Sequence, residues 1–357
     1  MKYKCYFDLQ GLENPFITGI ENYTLNLYNL FRDDKEFLFM NSSLNIEFPK
    51  SNLSERDDML SFFLFLEDVS IYFSPFLPIP QSINAKKIIT VHDVIPMIHP
   101  EWFPDDLYCL FNNKLRKCYE DCDHIISDSY STKNDLIKIF NIPRDKITTI
   151  HLGKSESFSP KKSNNPSLFI KDLNCFPYIL SVCTLEPRKN LQRVIEAFIT
   201  LKDNNKSFND IKLVLTGAPG WNNDSIYAIY EQSVYKNDII FTGYLNVNDL
   251  YEIYRYANAF IYPSFYEGFG LPILEAMASG VPVVTSSNSS LTEVGGESVI
   301  YVDPSDIDSI ADGIIAALFD SRIRDKCISS GLERSKNFSW EKTAKETLDV
   351  FKKVIDS

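Results

Sequence analysis

The 357-residue sequence contains no CxxC pair. Its seven cysteines, Cys5, Cys109, Cys118, Cys122, Cys175, Cys183 and Cys327, are odd in number and scattered. Cys118 and Cys122 lie one helical turn apart, but no second ligand pair accompanies them. The pattern argues against a zinc site and a disulfide framework, so reduced cytoplasmic thiols are expected. Positive charge is also scarce: 36 Lys and Arg face 48 Asp and Glu, for a net charge of -12. Such a chain is a poor nucleic-acid ligand, and no nucleic-acid partner is expected. A long apolar run is missing as well. The most apolar stretch, "MLSFFLFLEDVSIYFSPFLPIP", is broken by Glu67, Asp68 and three prolines, too polar to span a bilayer. It reads as a helix end plus the buried strand "VSIYF", with an apolar loop at a membrane surface as the other reading. No leader is expected, because Lys2 and Lys4 precede a strand. Neither an internal repeat nor a low-complexity tract occurs, and the dinucleotide fingerprint G-x-G-x-x-G is missing near Gly19.

What remains is globular: 44% hydrophobic and 24% charged residues, in a chain long enough for two domains with large cores. Short apolar, β-branched runs alternate with amphipathic ones. A first series reads "YKCYFDL", "VSIYF", "KIITVHD", "HIISDS" and "ITTIHLG". A second reads "YILSVCT", "KLVLTG", "IIFTGY", "AFIYPS", "VPVVTS" and "VIYVDP". Continuous apolar strands separated by helices predict parallel sheets buried on both faces. The polar stretch "GKSESFSPKKSNNPS", residues 153–167, separates the two series. The fold expected is therefore α/β, with two doubly wound domains and ligands at the carboxyl ends of the strands. The tail "FSWEKTAKETLDVFKKVI" predicts a helix capped by Ser339.

Chemistry concentrates in a few places. In "FYEGFGLPILEAMASGVPVV", Pro272 suits the start of a helix and Gly280 its end. Glu267 then sits on the entry loop and Glu275 in the first turn. Gly268 and Gly270 let backbone amides approach a ligand, and a loop feeding a helix suits an anion. An acid near a helix start has a structural reason to be there; Glu267, on the loop, is expected to have no structural partner. In "SVCTLEPRKNLQRVIEAF", Arg188 and Lys189 are expected where a helix begins near Lys189. Cations there are electrostatically unfavourable unless they face an anion such as phosphate. His92 ends a strand in "KIITVHD", where it can serve as a base or bind a hydroxyl. His99 is less well placed, and His124 and His151 read as structural. Ser129 and Ser131 read as helix caps. Asp121 and Asp123 spell the D-x-D of a metal-diphosphate site, but three letters in an acidic chain match by chance. "DPSDIDS" lacks the glycine and distal Glu of a calcium loop and reads as a turn.

Glu267, seven residues and Glu275 form an E-x7-E motif. With "TLEPRKNL", "LVLTGAPGW", "IIFTGYL", "YVDPSD", "HDVIPMIHPEWF" and "ISDSYSTKNDL" in order, it resembles the retaining glycosyltransferases of family four, and the resemblance covers nearly the whole chain. It implies the GT-B fold, with two Rossmann-like domains facing across a cleft. Residues 1–160, joined by 340–357, would bind the acceptor, and residues 161–339 the nucleotide sugar. Glu267 would hold the donor sugar and Glu275 the ribose. The amides of Phe269, Gly270 and Leu271 would face the sugar or phosphate. Lys189 and Arg188 would neutralise the leaving diphosphate. His92 would touch the transferred sugar, Gly19 would lie near the distal phosphate, and Tyr244 would frame the base. At Thr184 relatives carry an arginine, a departure that Arg188 would offset. The resemblance is closest to mannosyltransferases using GDP-mannose in O-antigen or capsule synthesis, with rhamnosyl and UDP-sugar transferases as rivals. No metal or other cofactor is expected. The partners expected are a nucleotide sugar and a glycan acceptor, lipid-linked in one version. A polyprenyl-linked acceptor would put a cytoplasmic protein against the inner face of the plasma membrane, through Lys86, Lys87 and "LYCLFNNKLRKCYEDCD". A sugar phosphorylase, a metal-dependent transferase using Asp121 and Asp123, and an inactive nucleotide-sugar-binding scaffold are the other readings.

Overall fold

A computed structural model describes residues 3–9, 19–32, 34–41, 64, 67–76, 79, 83–163 and 165–357. Of "MLSFFLFLEDVSIYFSPFLPIP", residues 59–63, 65, 66, 77, 78 and 80 lie outside them. The chain divides into two compact units. The first comprises Met1–Pro100, Asp105–Gly153 and Ser339–Ser357, and the second Glu101–Pro104 and Lys154–Phe338.

Among the described residues, six strands build the first unit's sheet: β1 (Tyr3–Phe7), β2 (Phe37–Asn41), β3 (Ile71–Ser74), β4 (Lys86–Val91), β5 (His124–Ser127) and β6 (Ile147–Thr149). Their order is β2-β1-β3-β4-β5-β6, with every pairing parallel. β2 was not among the expected strands: "EFLFMN" is short, sits at the sheet edge, and exposes Leu38. The helix Trp340–Ile355 buries Trp340, Thr343, Ala344, Thr347, Val350, Phe351 and Val354, the three-and-four spacing of a helix lying on a core. Ser339 caps it, accepting from the Lys342 amide at 3.2 Å. Phe351 enters an aromatic cluster, 5.1 Å from Phe73, 5.9 Å from Phe37 and 6.0 Å from Phe31 between ring centroids. Gly153 allows the chain to pass this helix, because a Cβ there would lie 2.1 Å from the Trp340 nitrogen.

The second unit's strands are β7 (Tyr178–Val182), β8 (Lys212–Thr216), β9 (Ile239–Gly243), β10 (Ala259–Tyr262), β11 (Val283–Ser286) and β12 (Ile300–Val302). They run in the order β12-β11-β10-β7-β8-β9, again all parallel. The centre of the sheet is apolar on both faces, as its unbroken hydrophobic runs required. One flanking helix, Leu191–Asn204, buries Leu191, Val194, Ile195, Ala197, Phe198 and Leu201. Each of the larger of these side chains contributes about 1.5–3 kcal/mol by leaving water. All seven cysteines are free thiols. Among the described residues no helix is long and apolar enough to cross a membrane.

Candidate active site

β10 leaves the sheet at Pro263, and the chain loops through Glu267 into the helix Leu271–Ala278. The turn after β11 braces that loop. Ser289 Oγ accepts from the Glu267 amide at 3.0 Å, Ser290 Oγ donates to the Glu267 carbonyl at 2.8 Å, and Asn288 donates to the Phe265 carbonyl at 2.9 Å. Gly270 holds φ at +111°, which a side chain resists, and a Cβ there would sit 2.9 Å from Leu291 Cδ2.

Glu267 was expected to stand without a structural partner, and this is corrected. Its carboxylate is 5% exposed and is gripped at both oxygens. Lys189 Nζ donates to Oε1 at 2.6 Å, and Arg188 Nη1 donates to Oε2 at 2.7 Å. Lys189 also donates to the Tyr262 hydroxyl at 2.6 Å, and Arg188 Nη2 lies 2.8 Å from Glu186 Oε1. Two carboxylates and two cations thus form a buried, charge-balanced quartet, which desolvation permits only because each charge is paired. Burial opposes ionisation of Glu267, but Arg188 and Lys189 outweigh it and hold its pKa down to about 2. The sequence offered no sign of this pairing, because 78 positions separate Lys189 from Glu267.

The start of the following helix is also corrected. Pro187–Lys189 is a single 3-10 turn, and the α-helix begins at Leu191 after Asn190, whose φ is +60°. Asn190 donates to the carbonyls of Pro263 at 3.1 Å and Pro304 at 2.7 Å. The cations therefore precede the helix, on a turn fixed against the Glu267 loop. Arg188 O accepts from the Phe265 amide at 2.9 Å, tightening the same contact.

Glu275 is corrected from the first turn to the second: it is the fifth residue of the helix Leu271–Ala278. The helix dipole therefore does little for it. It is buried, and Tyr254 donates its hydroxyl to Oε2 at 2.9 Å. Burial drives its pKa up to about 8, against the opposing Tyr254 hydrogen bond. The two acids of the motif are thus tuned apart, one ionised and one protonated at neutral pH. Tyr254 and Tyr262 had no signal in the sequence beyond their apolar surroundings.

The remaining expected residues fall as follows. The first intrahelical bond runs from the Leu274 amide to the Gly270 carbonyl, so the Leu271 amide lies ahead of it. The buried Phe269 ring meets Phe338 at 6.1 Å between centroids. Thr184 lies in the loop that follows β7, and Tyr244 is 43% exposed just past β9 at the sheet edge. Trp102 stacks on Phe265 at 5.8 Å and accepts at its carbonyl from Trp221 Nε1 at 2.7 Å, a contact the sequence did not suggest.

Gly19 and His92 belong to the first unit. Gly19 opens the helix Gly19–Phe31 and is exposed. His92 follows β4, with Nδ1 at 2.6 Å from Asp128 Oδ2 and Nε2 at 2.9 Å from the Pro75 carbonyl. Both ring nitrogens are engaged, so a base role at either is unavailable in this arrangement. Burial alone would lower its pKa; Asp128 and the Pro75 carbonyl reverse this and raise it. Asp128 was overlooked, although its place at the end of β5 was the available signal. His124 meets Thr148 Oγ1 at 2.8 Å, and burial with nearby lysines lowers its pKa to about 4. Asp123 accepts from the Lys87 amide at 2.8 Å and lies 3.6 Å from Lys86 Nζ. Among the described residues, no group of three or more His, Cys, Asp or Glu side chains is placed to hold a metal.

Two all-parallel sheets of this order make two doubly wound α/β units, one of them ending in a braced acid-and-cation loop. The chain matches "Glycosyl transferases group 1" over residues 171–334 and "Glycosyltransferase Family 4" over residues 69–154. It is 34% identical to O-antigen chain mannosyltransferase B of Escherichia coli, over 79% of this chain and 74% of that one. It is 30% identical to O-antigen chain mannosyltransferase RfbU of Salmonella typhimurium, over 61% and 57% of the two chains. Among solved structures, Anabaena HepE in complex with UDP and glucose superposes with a TM-score of 0.76 at 15% identity, covering 98% of this chain and 100% of that one. A glycosyltransferase of Rickettsia africae gives 0.72 at 17%, covering 99% of each chain. The structural likenesses establish the GT-B fold. The chain belongs to glycosyltransferase family four and is a sugar-transferring enzyme.

Proposed function

We propose that this glycosyltransferase moves a mannosyl unit from GDP-mannose to a hydroxyl of a growing O-antigen glycan, with retention of anomeric configuration and without a metal ion. The carrying observation is the buried Glu267–Arg188–Lys189 group at the entrance to the helix Leu271–Ala278. Likeness to two O-antigen mannosyltransferases supports the sugar and the pathway. The second unit takes the nucleotide sugar and the first unit the acceptor.

The donor's bond from the anomeric carbon to phosphate oxygen breaks, and the acceptor oxygen bonds to that carbon. The acceptor proton leaves to an oxygen of the departing diphosphate, on the same face. Arg188 and Lys189 stabilise the charge that develops on this leaving group, a role in which fixed cations away from water act strongly. In the unliganded protein, Glu267 holds both cations in place. When the diphosphate arrives it shares them, and the Glu267 carboxylate accepts hydrogen bonds from sugar hydroxyls. The amides of Phe269, Gly270 and Leu271 add donors at the helix start. Glu275 accepts from the ribose diol, Tyr244 borders the base, Thr184 lines the phosphate loop, Gly19 approaches the distal phosphate, and His92 meets the transferred sugar. A lipid-linked acceptor and peripheral membrane contact by the first unit belong to the same reading.

A thermal-shift screen against GDP-, UDP-, dTDP- and ADP-sugars tests the donor, because a ligand that binds only the folded state raises its melting temperature. GDP-mannose should give the largest shift; a larger shift with UDP-sugars would overturn the donor assignment. Unchanged nucleotide affinity in Glu275→Ala would remove the ribose role. An inverted linkage in the product would overturn retention.

A further inference from the structure

His92 is held far more tightly than a residue whose only task is to touch a ligand. β4 and β5 are neighbours in register, Val91 beside Ser127, so His92 and Asp128 are the next partners along the two strand ends. The Nδ1–Oδ2 distance of 2.6 Å joins them. On the other side, Nε2 meets the carbonyl of Pro75, just past the end of β3. The imidazole thus ties together the ends of three adjacent strands. Its ring is met edge-on by Tyr23 at 5.0 Å, and Tyr23 is pinned by a 2.8 Å hydrogen bond to Thr90. Phe76 covers it at 6.2 Å, and Thr132 donates to the His92 carbonyl at 3.2 Å.

A carbonyl oxygen can only accept, so Nε2 carries a hydrogen. The other mobile proton lies between Nδ1 and Oδ2. Whichever atom holds it, the ring keeps one orientation and one hydrogen pattern at Nε2. Asp128 is 2% exposed, and its second oxygen, Oδ1, is buried with no hydrogen-bond partner among the described residues. A buried carboxyl oxygen without a partner is costly, and stability alone does not favour it. A carboxyl at this position is explained by what it does to the imidazole, as acids behind catalytic or metal-binding histidines do elsewhere.

We infer that Asp128 is a positioning residue that acts through His92, fixing the ring's plane and hydrogen pattern at the carboxyl edge of the first unit's sheet. The inference rests on the reading of His92 as the contact to the transferred sugar. With Asp128 in place the imidazole presents a fixed wall; without it, the ring keeps the Nε2 bond to the Pro75 carbonyl and its aromatic neighbours but loses the partner that fixes Nδ1, and its plane is held less firmly.

The test compares His92→Ala, Asp128→Ala and Asp128→Asn in the full chain. Sugar-transfer kinetics are measured together with the 15N resonances of the imidazoles, of which the chain has only four. Asp128→Ala should lower kcat about 10- to 100-fold, the range typical of lost outer support behind a functional histidine. The KM for the nucleotide sugar should stay near the wild-type value. Asp128→Asn, which preserves shape and can still meet Nδ1 through its amide, should fall between the two. The His92 resonances, identified by their loss in His92→Ala, should shift in both Asp128 variants. A purely structural role would instead lower the melting temperature and leave the kcat of the folded protein unchanged. Impaired His92→Ala beside a folded Asp128→Ala of wild-type kcat overturns the inference. If Asp128→Ala does not fold, wild-type kcat and wild-type His92 resonances in Asp128→Asn overturn it equally. An unimpaired His92→Ala instead sinks the reading of His92 itself.

Discussion

Replacing Glu275 by Gln should make the second unit less sensitive to rising pH. The carboxyl has an ordinary value of 4.5 and is pushed up to about 8 in the fold by burial. Below pH 4.5 it is protonated in both states and contributes no pH dependence. Above that, the unfolded chain ionises it while the folded chain does not, so stability falls as pH rises. The loss accrues at about 1.4 kcal/mol per pH unit and levels off near pH 8, for a total on the order of 5 kcal/mol. Glu275→Gln keeps the side chain's shape and its contact with Tyr254 but cannot ionise. Its stability relative to wild type should therefore improve steadily between pH 5 and pH 8, after a small cost at low pH. Comparing variant with wild type cancels the opposite contribution of Glu267, whose lowered pKa gives stability above pH 4.5 that is lost as pH falls toward 2. Hydrogen exchange at the buried amides of Ile273–Ala278 reads the opening free energy of this helix without requiring the two units to unfold together. A flat difference between variant and wild type across that pH range would refute the claim that Glu275 is held neutral by burial.

Lys189→Ala should cut kcat by about 10²- to 10³-fold, as loss of one fixed charge-stabilising donor does elsewhere; near-normal steady-state turnover would exclude the cation pair from charge stabilisation. Glu267→Ala removes the carboxylate that both the buried Lys189 and the half-buried Arg188 grip, so chemical denaturation should show a loss of roughly 3–5 kcal/mol. On the proposed ribose contact, hydroxyls donating to Glu275 would favour its ionised form, so GDP binding below pH 8 should release a proton. Calorimetry in buffers of different ionisation enthalpy measures it, and buffer-independent heats would contradict it. EDTA should leave the transfer rate unchanged; loss of activity restored by added manganese would overturn metal independence. Gly153→Ala should destabilise the first unit by about 1–3 kcal/mol through its clash with the Trp340 backbone, read as a lowered melting temperature.

Much of the architecture was legible because parallel strands buried on both faces leave unbroken apolar runs, and eleven of the twelve strands among the described residues announced themselves that way. β2 was missed, although its run "FLFM" is as unbroken as the others. Glu267 and Glu275 were legible as an unusual pair because glycine and proline mark the loop and helix between them. Their physical states were not. Spacing along the chain carries no information about which cation reaches an acid from 78 positions away, nor about how deeply a helix position is buried.

The sequence by itself determined the alternation of strand and helix, the loop into Leu271–Ala278, and the family, because these depend on local pattern and on ordered motifs. Tertiary structure alone decided the chemistry of each group. It pairs Glu267 with Arg188 and Lys189, gives Glu275 the Tyr254 hydroxyl and no charged partner among the described residues, and sets Asp128 behind His92. The reason is electrostatic. A carboxyl's proton affinity depends on the water it loses and the charges it meets, and both are set by residues that only folding brings together.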